Sequence, residues 1–379
     1  MKAVTFQGAK DIQVKKVDYP KIEKNDDIIV RITSTAICGS DLHIYLGAVP
    51  TRPGYIIGHE PMGIVEEVGP EVTKVKKGDR VVIPFNVSCG ECFFCQHEME
   101  SQCDNSNPNP LLDTAGYLGF TERYGDYPGG QAEYLRVPYG NFMPFVIPES
   151  CELEDEAVLF LSDVLPTAYW SVENAGVKAG DTVIVLGCGP VGLMTQKFAW
   201  MKGAKRVIAV DHLPYRLLKA KQMNNVEICN FEDHDDTGKF LRELTNGGAE
   251  VVIDCVGIDG KKSALEKIGQ KLHLQGGTLS AIEIAMNAVR KFGTIQMTGI
   301  YSALFNAFPL GHIWERNLTL KMGQAPVVHY MPLLFDKIVS GQFDPTEIIS
   351  HRLPLDDAAK AYQIFNDHED NAVKIVLKP

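Results

Sequence analysis

A six-residue turn, Gly187-Cys188-Gly189-Pro190-Val191-Gly192, constrains this chain more than any other feature. The apolar, β-branched run TVIVL precedes it, and a helix-like run over residues 193–201 follows. A second β-branched run ends at Asp211, 19 residues beyond Gly192. G-x-G-x-x-G alone is a weak signal, but strand, turn, helix and strand around it make it specific. The first glycine permits the tight turn, the second lets backbone approach a pyrophosphate, and the third lets helix and strand pack closely. The helix N-terminus adds free N–H groups and a positive dipole. Gly187, Gly189, Pro190, Val191, Gly192 and Asp211 are therefore expected to bind a dinucleotide, with Asp211 accepting from the ribose hydroxyls. Asp211 would repel a 2′-phosphate, which favours NAD over NADP, while the neighbouring His212 and Arg216, the latter also expected to bind the cofactor, could partly offset its charge.

The sequence around this turn keeps the same texture. EVVIDCVG and TIQMTGIY read as strands, AIEIAMNAVRKFG as a helix, and NLTLKMGQ as a last strand. Such alternation predicts a parallel sheet with both faces covered. The first ~150 residues differ. DIIVRITSTAI, GIVEEVG, DRVVIPF and AEYLRVP are short β-branched runs broken by glycine and proline, which read as strands. ELEDEAVLFL reads as a helix at the change of texture, and the helical runs YMPLLFDKIVSG and LPLDDAAKAYQIFND precede a terminal strand, AVKIVLKP. At ~150 residues per domain, 379 residues make two or three domains.

Thirty-seven basic against 48 acidic residues give a formal net charge of −11. No basic excess is available to release counterions from a nucleic acid or to grip an anionic membrane. Hydrophobic residues at 45% exclude wholesale disorder. The opening MKAVTFQGAKDIQVKK has no apolar core behind its lysines, so a secretory signal is not expected. Nor is any stretch of ~18 residues free of charges and turn residues, so no membrane span is expected either. A cytoplasmic protein is the expectation.

In a reducing compartment, clustered cysteines point to metal rather than disulfides. Cys89-x2-Cys92-x2-Cys95-x7-Cys103 offers four thiolates within fifteen residues, a set that suits tetrahedral structural Zn²⁺. His97 lies inside this loop and reads as solvated. Cys151, Cys188, Cys229 and Cys255 read as small, buried or half-buried side chains. A second constellation, Cys38-Gly39-Ser40-Asp41-Leu42-His43 with Gly58-His59-Glu60, is open by spacing alone, since its two halves lie 21 residues apart. His59 in a glycine-flanked turn can be structural or catalytic.

Taken in order, CGSDLH, GHE, the four-cysteine lobe, PGGQAEYLRVP, GCGPVG and KIVLKP resemble the zinc-dependent medium-chain alcohol dehydrogenases along nearly the whole chain. The resemblance implies an α/β fold. A β-rich, GroES-like catalytic domain would come from both chain ends, 1–155 and 324–379, with a central doubly wound Rossmann domain over 156–323. It implies two zinc ions per chain, with Cys38 and His59 as catalytic ligands and Cys89, Cys92, Cys95 and Cys103 as structural ones. Ser40 and His43 would relay the alcohol proton to solvent, and Glu60 would stand behind the zinc. Lys374 on the terminal strand would reach the Glu60 region, and Phe85 would be a substrate-pocket aromatic.

Better-known members use a cysteine as third ligand. Here the matching stretch, Phe160-Leu161-Ser162-Asp163-Val164-Leu165-Pro166-Thr167, places Asp163 there, which resembles the glutathione-independent formaldehyde dehydrogenases. By pattern alone Asp163 could equally cap the helix that Pro166 and Thr167 begin. The apolar run before it and the resemblance favour a zinc ligand, because a carboxylate buried there needs a partner charge.

The expected activity is hydride transfer between NAD and a small alcohol or aldehyde, formaldehyde included. If the cofactor is retained, dismutation follows. Phe85 and Trp170 would offer apolar walls, and only Arg52 or His329 could clamp a substrate carboxylate. A polyol- or L-threonine-type zinc dehydrogenase is the alternative. A zinc-free quinone reductase of the same superfold would lack the lobe and the GHE pair, and a non-catalytic zinc-ribbon scaffold would not need Cys38, His43, His59 and Glu60 together. Relatives of this kind are commonly homo-oligomers, dimers or tetramers.

Overall fold

A computed structural model describes residues 1–256, 279–301 and 308–379. The chain forms two compact units, Met1–Pro166 with Ala325–Pro379, and Thr167–Gln324.

In the first unit a seven-stranded sheet is built around Ile28–Ile37. Glu60–Val68 pairs antiparallel with it on one side, and the sheet continues through Arg80–Val82 to Phe145–Val146. Tyr134–Val137 and the terminal strand Ile375–Lys378 both pair with Ile28–Ile37 antiparallel, and His351–Pro354 runs parallel beside the terminal strand. In this register Ala36 pairs with Glu60, and Ile37 pairs with Ile375. Cys38, His59 with Glu60, and Lys374 are thereby brought to one end of three neighbouring strands. An apolar core made by Phe6, Ile37, Leu42, Ile57, Tyr362, Phe365 and Ile375 lies behind that end. Each such side chain contributes about 1.5–3 kcal/mol by leaving water.

In the second unit six parallel strands line up as Glu227–Asn230, Arg206–Asp211, Thr182–Leu186, Ala249–Asp254, Val289–Met297 and Thr319–Met322. Counted in chain order this is 3-2-1-4-5-6, the doubly wound arrangement whose switch point lies beside the first strand. Isoleucine and valine fill both faces, with Ile184, Ile208, Val252 and Ile295 on one and Val183, Val185, Val207, Val251 and Ile253 on the other.

Two elements depart from the sequence reading. The run AIEIAMNAVRKFG is helical only to Ala288, and Val289 already pairs with Ala249 in the sheet. Phe292, at φ +60°, cannot continue a right-handed helix, and sheet pairing overrides the local pattern. ELEDEAVLFL splits into a short helix, Asp155–Val158, and a tighter 3₁₀ turn, Leu159–Ser162, whose four side chains are all buried. Gly257, the end of the expected strand EVVIDCVG, lies outside the described residues. Among the described residues no helix is long and apolar enough to cross a membrane.

Candidate active site and metal centres

Cys38 leaves the end of Ile28–Ile37, and His59 immediately precedes Glu60–Val68. The 3₁₀ turn Leu159–Ser162 delivers Asp163 to the same point, and the backbone bond from Phe85 N–H to the Ser162 carbonyl (3.1 Å) ties that turn to the sheet. Asp163 Oδ2 lies 3.4 Å from Cys38 Sγ and 3.3 Å from His59 Nε2. Donor atoms of Cys38, His59, Glu60 and Asp163 all fall within 4.8 Å of one another. Tetrahedral bonds of 2.0–2.3 Å to zinc would set neighbouring donors about 3.3–3.8 Å apart, so the separations of Asp163 from Cys38 and from His59 fit.

The electrostatics also call for a cation. Burial pushes the Cys38 thiol up, and Asp163 adds to the effect. Burial would lower His59, but Asp41 and Cys38 outweigh it and hold the imidazole well above its ordinary value. Glu60 is raised by burial, against the pull of Lys374. Lys374 is wholly buried and donates to Glu60 Oε1 at 2.5 Å and to the Ile37 carbonyl at 3.0 Å. It stays charged, because Glu60 and Cys38 more than offset the burial that opposes it. Glu60 Oε2 has no hydrogen-bond partner. Without a metal, burial favours the protonated thiol and carboxyl; in their charged forms the Cys38 thiolate and the Asp163 and Glu60 carboxylates would outnumber the one ammonium, an excess that a divalent ion would offset.

The four cysteines converge as their spacing predicted. Cys89 and Cys95 sulfurs lie 3.9 Å apart, as do those of Cys92 and Cys103. The N–H groups of Glu91 and Cys92 point at Cys89 Sγ at 3.4 Å, and that of Cys89 at Cys103 Sγ at 3.3 Å. Such donors favour thiolates. His97 is exposed, stacks on Phe93 and stays outside the cluster.

At the dinucleotide turn, Gly187 has φ +92°, a conformation that favours glycine. A Cβ on Gly192 would overlap the Gly187 carbonyl oxygen, whereas one on Gly189 would meet nothing. That open space at Gly189 fits close approach of a pyrophosphate. Pro190 opens the helix Pro190–Met201, with Val191 in its first turn. Asp211 is buried, and its carboxylate accepts from the N–H groups of Cys188 (2.8 Å), His212 (2.7 Å) and Leu213 (3.0 Å). It therefore shapes the turn. Arg216, in the following helix, has a buried Nε without a hydrogen-bond partner.

Residues 24–149 match the alcohol dehydrogenase GroES-like domain, and residues 190–280 match the zinc-binding dehydrogenase family. The chain is 60% identical over 380 residues to an uncharacterized zinc-type alcohol dehydrogenase-like protein AdhB of Bacillus subtilis, covering all of both chains. It is 31% identical over 412 residues to a glutathione-independent formaldehyde dehydrogenase of B. subtilis, covering 100% of this chain and 97% of that one. Among solved structures, alcohol dehydrogenase TADH from Thermus sp. ATN1 superposes with a TM-score of 0.85 at 32% identity, covering 100% and 99% of the two chains. This chain belongs to the zinc-dependent medium-chain alcohol dehydrogenase family. It is a zinc-type oxidoreductase with a GroES-like domain and a Rossmann domain.

Within this dehydrogenase the other expected residues take varied places. Ser40 Oγ is 3.3 Å from His59 Nε2. His43 lies on the short helix Asp41–Tyr45 and is only 5% exposed, so it is not a surface histidine. Phe85 sets its ring edge-on to His59 at 5.9 Å. Trp170 sits in the other unit, against Gly323. Arg52 pairs with Asp126 at 2.7 Å, and His329 faces Glu98 at 3.5 Å. Sequence reasoning missed Asp41 and Phe120. Asp41 Oδ1 is 3.0 Å from His59 Nδ1, and Phe120 stands edge-on to His59 at 6.5 Å. Asp41 stood in plain view in CGSDLH, but nothing in a sequence marks an acid as buried.

Proposed function

We propose that this dehydrogenase transfers a hydride between NAD and a small alcohol or aldehyde, with Cys38, His59 and Asp163 holding the catalytic zinc and the four-cysteine lobe holding a structural one. The meeting of Cys38, His59, Glu60 and Asp163 within 4.8 Å, in a chain that also carries the glycine turn, supports this reading most directly. Zinc, when bound, supplies Lewis acidity that polarises a carbonyl or acidifies an alcohol. The nicotinamide supplies or accepts the hydride.

The chain's own residues do the rest. Cys38, His59 and Asp163 supply two negative charges and leave one position open for substrate oxygen. Glu60, pinned by Lys374, waits behind them. Ser40 Oγ, beside His59 Nε2, would take the substrate hydroxyl proton and pass its own to His43. Phe85 and Phe120 line the His59 side with apolar edges and favour a small, weakly polar substrate. Arg52, engaged by Asp126, gives no free clamp for an amino acid or for glutathione. The Asp163 pattern and the formaldehyde dehydrogenase relative favour formaldehyde. With its hydrate the same hydride chemistry yields the acid. With free aldehyde the reduced cofactor returns the hydride, and cofactor retention would couple the two as dismutation.

Asp211, buried behind the turn, carries the preference for NAD over NADP. We read the enzyme as a cytoplasmic homo-oligomer. None of the nine cysteines is paired in a disulfide. Among the described residues Thr319–Met322 has a neighbour on one side only, with Met322 and Trp314 exposed nearby.

The deciding experiment is a kcat/KM panel of ethanol, formaldehyde with and without glutathione, sorbitol and threonine, each with NAD and NADP. Turnover of formaldehyde or a simple alcohol, without glutathione and with NAD preferred, is expected. A glutathione requirement, or threonine or sorbitol well above every simple alcohol and aldehyde, overturns the substrate. An NADP preference overturns the role of Asp211.

A further inference from the structure

Behind His59 a line of buried polar side chains runs to the C-terminal helix. Asp41 Oδ1 lies 3.0 Å from His59 Nδ1. Asp41 Oδ2 accepts from the Cys38 backbone N–H at 3.0 Å and from Gln131 Nε2 at 3.3 Å. Gln131 Nε2 also donates to the Ala36 carbonyl at 3.2 Å, and Gln131 Oε1 accepts the Tyr362 hydroxyl at 2.9 Å. Asp41, Gln131 and Tyr362 are all fully buried.

The chemistry of the partners fixes the direction of every bond. A backbone carbonyl can only accept, so the amide nitrogen of Gln131 must face Ala36. Its oxygen is then left for Tyr362, whose hydroxyl must donate. Asp41 receives two donors on Oδ2, and its Oδ1 meets His59 Nδ1 at 3.0 Å as a buried charge contact rather than an aligned hydrogen bond. A carboxylate can only accept, so His59 carries its proton on Nδ1. Nε2 faces the Asp163 carboxylate at 3.3 Å, so a metal bound there would take the place of the second ring proton and leave the Nδ1–H tautomer. The backbone beside His59 is shaped around this amide: Gly58 has φ +97°, and a Cβ there would overlap the Gln131 side chain.

We propose that Gln131 and Tyr362 are positioning residues for the metal-binding histidine, acting through Asp41 to hold His59 as the Nδ1–H tautomer with Nε2 turned to the metal. The proposal rests on Cys38, His59 and Asp163 being a zinc site. Groups behind a metal ligand orient it and raise its basicity. Here they are drawn from Gln131 and from Tyr362 on the helix Ala358–Asn366, far from His59 in the chain. Packing alone does not require the hydroxyl. The Tyr362 ring lies 5.6 Å from that of Tyr45 in an apolar core, where phenylalanine would pack as well and bury no polar group.

The test tracks zinc release from the holoenzyme to an excess of a chelating dye. The wild type should release two ions in two phases, and Cys38→Ser, lacking one ion, shows which phase belongs to this site. Tyr362→Phe should speed that phase roughly 3- to 10-fold and Gln131→Met roughly 10- to 100-fold, with the four-cysteine phase unchanged. Phe365→Leu, a packing change on the same helix, should lower the unfolding temperature and leave both phases alone. Two bound ions with wild-type release from both Tyr362→Phe and Gln131→Met overturn this proposal alone; if Gln131→Met does not fold, Tyr362→Phe decides it. A wild type holding zinc only in the four-cysteine lobe overturns the site reading together with it.

Discussion

Glu100 is a carboxylate buried inside the cysteine lobe, 3% exposed, with Oε2 lacking a hydrogen-bond partner. Burial, with Glu98 adding repulsion, pushes its carboxyl up to about 7. In the unfolded chain the same group ionises near 4.3. Between these values the folded state holds a proton the unfolded state has released, so stability falls as pH rises to about 7 and is level above it. Glu100→Gln removes that loss. It should stabilise the protein by about 1–3 kcal/mol at pH 8, with a gain about 1 kcal/mol smaller at pH 6. Urea unfolding at both values, with zinc present, measures the difference. An equal gain at the two would mean that the carboxyl does not titrate there. Asp163 illustrates the opposite case, a buried carboxylate whose neighbours account for it: it directly precedes the helix Val164–Ala175, where a cap would stand, and it also approaches Cys38 and His59, as the favoured ligand reading requires.

Among the elements, the glycine turn lends itself to a paired test. Gly192 has no room for a Cβ because the Gly187 carbonyl occupies that space, so Gly192→Ala forces strand and helix apart. It should cost about 1–3 kcal/mol of stability, despite alanine's better helix propensity, and weaken NADH binding with it. Gly189→Ala meets no protein atom. It should leave the unfolding temperature close to wild type and still abolish most NADH binding, because the added methyl stands where the pyrophosphate must come. Thermal unfolding and NADH fluorescence titration separate the two. If Gly189→Ala binds NADH normally, the turn does not cradle the cofactor. The turn was legible in the sequence because its constraint lies within six residues, whereas the helix end at Ala288 was not, because a partner strand decides it.

For the whole molecule, the two metal clusters should be separable. Metal-replete wild type should hold two zinc ions per chain by elemental analysis. Cys38→Ser should hold one, lose activity and keep its fold. Cys92→Ser should also hold one, but chiefly at the expense of stability, since a four-thiolate zinc is folding free energy for the lobe that binds it. A Cys38→Ser protein with full activity would end the assignment. The two clusters also mark what each level of description decides. The sequence by itself determined the cysteine lobe, the dinucleotide turn and the alternation that makes a parallel sheet, because in each the interacting residues are neighbours in the chain and spacing is geometry. Tertiary structure decided the rest. The antiparallel register that sets Ala36 against Glu60 and Ile37 against Ile375 is what brings Cys38, His59 and Lys374 to one place. The burial that turns Asp41, Gln131 and Tyr362 from ordinary polar residues into a single hydrogen-bonded line arises only when both ends of the chain close over one core, where water no longer competes for their bonds.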